Sequence, residues 1–82
     1  MRNTSLLTAE ASVLLAILRL GGRARATDIV NSVEYGPKAV YRALKDLILT
    51  GHVKKVNGVY EITEKGKRAL EKLKTRVMEV VA

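Results

Sequence analysis

The chain has 82 residues, 48% of them hydrophobic and 28% charged, which is the size and balance of one small globular domain and excludes a disordered tail. It contains no cysteine, so disulfide scaffolds, thiolate metal sites and cysteine nucleophiles are excluded. Fifteen Lys and Arg against eight Asp and Glu leave a net charge of +7, which suits a polyanionic partner, nucleic acid before an anionic membrane surface.

Thr8 to Leu20 is predicted as the first helix. Thr8 suits its N-cap, Glu10 meets the positive end of the helix dipole, and Val13, Leu14, Ile17 and Leu18 recur at helical spacing as one apolar stripe. Gly21-Gly22 ends it. Arg23-Ala24-Arg25-Ala26 is too short for a helix and fits a two- or three-residue edge strand. Thr27-Asp28 then opens a short second helix to about Val33, with Ile29, Val30 and Val33 as its buried side, and Glu34-Tyr35-Gly36 is the turn. Pro37 begins the third helix, because a proline at the first position lacks only an amide that has no partner there. This helix runs to about Thr50 and is closed by Gly51, with Val40, Ala43, Leu44 and Leu47 inward and Ile48 beside them. Lys38, Tyr41, Arg42 and Lys45 fall at i, i+3, i+4 and i+7, so they share one outward stripe.

Two short runs follow, His52 to Val56 and Val59 to Ile62, separated by Asn57-Gly58 alone. Asn-Gly between such runs signals a hairpin, since a type I′ turn needs positive φ at both central residues. The two-residue loop fixes the register, with Val56 opposite Val59, Lys55 opposite Tyr60, Lys54 opposite Glu61 and Val53 opposite Ile62. Alternation then puts Val53, Tyr60 and Ile62 on the core face with the Lys55 stem along it, and Lys54 and Glu61 as an ion pair on the other. Thr63 caps the last helix, from Glu64 to near the C-terminus. Gly66, Leu70, Leu73, Val77 and Val80 lie at alternating spacings of four and three, with Ala69, Met78 and Val81 alongside.

The chain therefore reads as a single domain over 1–82, mainly α with a small β-hairpin, in the order α-β-α-α-β-β-α. Two helices joined by a tight turn form a helix-turn-helix unit, whose second helix is the one that enters the DNA major groove. The hairpin directly after that helix is a wing. Thr27-Asp28-Ile29-Val30, Val40-Tyr41-Arg42-Ala43-Leu44-Lys45-Asp46-Leu47, Gly51-His52-Val53 and Tyr60-Glu61-Ile62-Thr63-Glu64-Lys65-Gly66 resemble winged helix-turn-helix regulators of the PadR and MarR type, in the style of the small archaeal and archaeal-virus members. The resemblance spans residues 8–80. It implies a dimeric DNA-binding protein, usually a transcriptional regulator, with the third helix as reader. PadR proteins carry a longer C-terminal region and MarR proteins extra helices, whereas one helix follows the wing here.

On that reading Lys38, Tyr41, Arg42 and Lys45 contact DNA, with Arg42 suited to a bidentate contact with guanine, and small Ala39 allows close approach. Otherwise the stripe is a solvated helix face. Lys54, Lys55, Asn57 and Gly58 form the wing patch, where lysine equally protects an exposed edge strand from pairing. Arg23 and Arg25 are placed to meet the DNA backbone. Thr27 either joins them or caps its helix, and Tyr35 either binds a phosphate or covers the core. Leu70, Leu73, Val77, Val80 and Val81 on the C-terminal helix (64–82) pack back on the first helix or, as favoured here, pair with a second copy.

A lone histidine cannot complete a metal site, and His52 is expected at the end of the third helix, where a partly protonated ring meets the negative dipole end. No Ser/His/Asp arrangement, glycine-rich phosphate loop or carboxylate pair appears, so neither catalysis nor a cofactor is expected. No small-molecule effector is evident. No apolar run reaches the ~20 residues of a membrane span, and Met1 to Leu7 lacks the apolar stretch of a secretion signal. A homodimeric, sequence-specific regulator on double-stranded DNA, in the cytoplasm at the nucleoid, is the expectation. The alternatives are an architectural protein that coats DNA without sequence choice and a winged helix used as a protein-interaction module.

Overall fold

The computed structural model describes residues 8–81 in backbone and 9–73 in side chain. The elements run α1 (Thr8–Arg19), β1 (Arg23–Ala24), α2 (Ala26–Ser32), α3 (Pro37–Leu49), β2 (Val53–Val56), β3 (Val59–Ile62) and α4 (Glu64–Val81). Helical spacing of apolar residues decides which faces turn inward. α1 buries Val13, Leu14, Ala16 and Ile17, α2 buries Ile29, and α3 buries Val40, Ala43, Leu44 and Leu47. They meet Ala24, Val53, Tyr60 and Ile62 from the sheet in one cluster. Each fully buried Leu, Ile or Val contributes about 1.5–3 kcal/mol.

Two stripe residues fall outside this core. Leu18 is 40% exposed and Ile48 38% exposed. Each lies roughly 90–120° around its helix from the centre of the buried stripe, so helix geometry carries it to the flank. Val30 and Val33 are only half-buried, since Ile29 takes the inward position of α2 and Val33 lies beyond its last turn. The α2 helix also opens earlier than expected. Arg25 is its N-cap, with its carbonyl accepting from the Ile29 amide at 3.1 Å, so Thr27 is an exposed first-turn residue and not a cap.

The hairpin has the register the two-residue loop demands, Val56 opposite Val59 through to Val53 opposite Ile62. Asn57 and Gly58 take φ values of 50° and 80°, as a type I′ turn requires. The sheet has a third member. β1 pairs antiparallel with β3, Arg23 opposite Glu61 and Ala24 opposite Tyr60, which makes β3 the central strand.

α1 and α3 end in the same way. In α3 the Gly51 amide donates to Ile48 O and the His52 amide to Leu47 O, a closing pair that needs positive φ at Gly51, here 84°. The chain leaves this cap directly into β2, and α4 is fastened to the same place. The Thr63 hydroxyl donates to Gly51 O at 2.6 Å, the Thr63 amide to His52 O at 3.0 Å, and Lys65 Nζ to Thr50 O at 2.6 Å. Thr63 also caps α4, its hydroxyl oxygen accepting from the Gly66 amide at 3.2 Å.

Candidate nucleic-acid interface

Pro37 starts α3 at its first turn with Gly36 as N-cap, and the apolar stripe of the helix is wholly taken up by the core. The opposite side is open. Lys38, Tyr41, Arg42 and Lys45 are all exposed, Tyr41 at 51%, and no ion pair among the described residues engages the three cations. Ala39 is half-buried, on the wall of a groove shared with Ala9 and Glu10 of α1 and with Arg42, Ala43 and Asp46. It is therefore at the flank of the open stripe and not on its crest.

The pleat of the sheet separates the wing lysines. Lys55 leaves on the core side, with its Nζ 5.3 Å from the Tyr60 ring centroid, a cation–π distance. Lys54 leaves on the outer side, 3.8 Å from Glu61. Asn57 and Gly58 form the exposed tip. Arg23 is brought to the same outer side, 3.6 Å from Glu61, while Arg25 and Thr27 are exposed at the start of α2. Tyr35, in the turn between α2 and α3, is half-buried and packs against the core. Sequence reasoning finds the Lys54–Glu61 pair from the hairpin register but misses Arg23 as a second partner, because a two-residue strand carries no pattern that announces its neighbour.

His52 lies at the end of α3, as expected, but its ring is buried and does not meet the helix dipole in solvent. It is 5% exposed, and its Nδ1 lies 2.6 Å from the Thr50 hydroxyl, which itself lies 3.2 Å from Leu47 O. Burial, and then the Lys65 ammonium, hold its pKa below the usual imidazole value. The favourable dipole is outweighed by loss of solvent and by a like charge, and it is Lys65 that donates to the Thr50 carbonyl at the end of α3. No group of three or more His, Asp or Glu gathers among the described residues.

Of the residues assigned to a dimer seam, Leu70 is half-buried against the core and Leu73 is half-buried. The side chains of Val77, Val80 and Val81 lie outside the described residues. No helix among the described residues is long and apolar enough to cross a membrane.

A family model described as winged helix-turn-helix matches residues 9–80. Among solved structures the chain is similar to BpsR of Bordetella bronchiseptica, whose DNA binding is regulated by 6-hydroxynicotinic acid. The TM-score is 0.82 at 18% identity, over 99% of this chain and 62% of that one. It is also similar to RdhR, an organohalide-sensing transcriptional regulator in a 2,4-dichlorophenol-bound form, with a TM-score of 0.79 at 17% identity, over 95% of this chain and 52% of that one. The chain thus spans between about half and three-fifths of those regulators, and the likeness is one of fold. No curated protein matches it in sequence.

Proposed function

The chain belongs to the winged helix-turn-helix family, and from that premise we propose that it is a sequence-specific, double-stranded DNA-binding transcriptional regulator. One observation carries the reading. The apolar side of α3 is consumed by the core, which leaves Lys38, Tyr41, Arg42 and Lys45 as an open cationic side of a rigidly held helix. Such a helix fits a major groove, where Arg42 is suited to a guanine edge and Lys38, Tyr41 and Lys45 to phosphates and flanking bases. Ala39 at its flank leaves room for the groove wall. The wing tip, Asn57 and Gly58 with Lys54 and Lys55 behind it, meets the neighbouring backbone or minor groove. Arg23, on the same outer face of the sheet as Lys54, and Arg25 and Thr27 at the start of α2 meet the backbone, and Tyr35 chiefly packs on the core.

The protein works in the cytoplasm as a two-fold dimer through α4, with Leu70, Leu73, Val77, Val80 and Val81 along the seam. That symmetry sets two reading helices about 34 Å apart, over successive major grooves of a near-palindromic site. If each protomer neutralises three or four phosphates, the log–log slope of affinity against salt is about −5 to −7. Titration of duplex binding between about 50 and 200 mM salt measures it, and a slope near zero overturns the reading. Selection from a random duplex pool then separates a regulator from an architectural protein. Enrichment of one site supports the regulator, and uniform recovery supports the coat.

A further inference from the structure

Glu61 is the acid around which two of the proposed phosphate-contacting cations are arranged. β3 lies between β1 and β2, and the register sets Arg23 opposite Glu61 on one side and Lys54 opposite it on the other. The three side chains leave the sheet on its outer face, because Tyr60 and Ile62, the residues on either side of Glu61, are buried. One carboxylate oxygen lies 3.6 Å from Arg23 Nη2 and the other 3.8 Å from Lys54 Nζ. The cations are open to solvent, with side chains 67% and 62% exposed, while that of Glu61 is only 23% exposed. Lys55 differs. It rests over Tyr60 on the other face and forms no ion pair among the described residues.

We propose that Glu61 is a positioning residue that holds Arg23 and Lys54 in competition with DNA phosphate, and so tempers the sequence-independent grip of the domain. The inference rests on the DNA-binding reading above. Both pairs are longer than the ~2.7–2.9 Å of a charge-assisted hydrogen bond, and exposed pairs of this kind are weak. A phosphate can therefore displace the carboxylate. Displacement leaves Glu61 unpaired beside a polyanion, where it gathers cations again and offsets part of the counterion release that Arg23 and Lys54 produce. Base reading by α3 is untouched, since the row lies on the sheet. Lys55 is the wing cation available without such competition.

The experiment measures binding of the full chain to a random-sequence duplex across about 50–200 mM salt. Glu61→Gln keeps the shape of the side chain and removes its charge. It is expected to tighten binding about three- to tenfold per protomer and to steepen the salt slope by up to about one unit. In the Arg23→Ala/Lys54→Ala background the gain from Glu61→Gln is expected to shrink markedly, because no cation is left to release and only the repulsion of a bare carboxylate is relieved. Unchanged or weaker binding by Glu61→Gln, with the wild type binding normally, overturns the inference alone. A gain that persists undiminished in the double-substituted background also overturns it, since Glu61 then acts only as a bare charge. Failure of the wild type to bind duplex at the lowest salt overturns the DNA-binding reading, and this inference with it.

Discussion

Replacing Gly66 by alanine tests how α4 is seated on the rest of the domain. Gly66 is buried in the first turn of α4, and a Cβ added there would overlap the His52 carbonyl oxygen. It would also lie 2.8 Å from Ile62 Cγ1 and 3.3 Å from Leu14 Cδ1. The carbonyl cannot swing aside, because it accepts the Thr63 amide at 3.0 Å. The helix must therefore back away, and in doing so it strains the bonds from Thr63 to Gly51 O and from Lys65 to Thr50 O. Overpacking costs about 1–3 kcal/mol and each weakened hydrogen bond about 1 kcal/mol. The better helix propensity of alanine returns about 1 kcal/mol. The expected net loss is about 2–4 kcal/mol, or roughly 8–32 °C in Tm for a domain of this size. Thermal and urea unfolding followed by circular dichroism at fixed protein concentration measure it. Gly36→Ala is the control, because a Cβ there meets nothing within 4 Å, and its loss of capping preference costs about 1 kcal/mol. A Gly66→Ala protein as stable as the wild type refutes the close-approach argument.

Arg42→Ala is expected to weaken binding to the selected site by about 1–3 kcal/mol and binding to random duplex by less. Equal loss on both makes Arg42 a phosphate contact only. The depressed pKa of His52 makes stability depend on pH. The unfolded ring takes up its proton near pH 6.5 while the folded ring resists it, so this contribution is complete above that value and is lost as the pH falls towards the folded pKa. His52→Gln is expected to flatten the fall in Tm between about pH 7 and 5, and an unchanged profile shows that the ring does not govern it. Leu73→Glu places a charge on the proposed seam, and sedimentation of wild type and variant is expected to show a dimer replaced by monomer. Equal mass for both rules out that seam.

What can be read from this sequence follows from how local the deciding physics is. Asn57-Gly58 sets its own turn, and a two-residue loop leaves one register, so four cross-strand pairs are legible without coordinates. The open side of α3 is legible too, because Val40, Ala43, Leu44 and Leu47 occupy the inward positions and force Lys38, Tyr41, Arg42 and Lys45 outward. The partners of β1 and His52 are not legible. β1 is fastened by a long-range bond from the Ile62 amide to Gly22 O at 2.9 Å, and nothing near Arg23 in sequence points to Glu61. The state of His52 is decided by how deeply it is covered and by Lys65, thirteen positions on, whereas local reasoning sees only the helix end beside it. Ile48 marks the limit of periodicity, which names the stripe but not its width.

The attachment of α4 to the cap of α3 carries a mechanical consequence. α4 spans 18 residues, about 27 Å of helix, and its base is fastened at Thr63, Lys65 and Gly66 to the backbone where α3 stops. No loop intervenes to absorb a twist. In the dimer proposed above, a torque applied at the far end of α4 would reach α3 as a change of pitch, and the spacing between the two α3 helices would be geared to the angle at which the α4 helices cross.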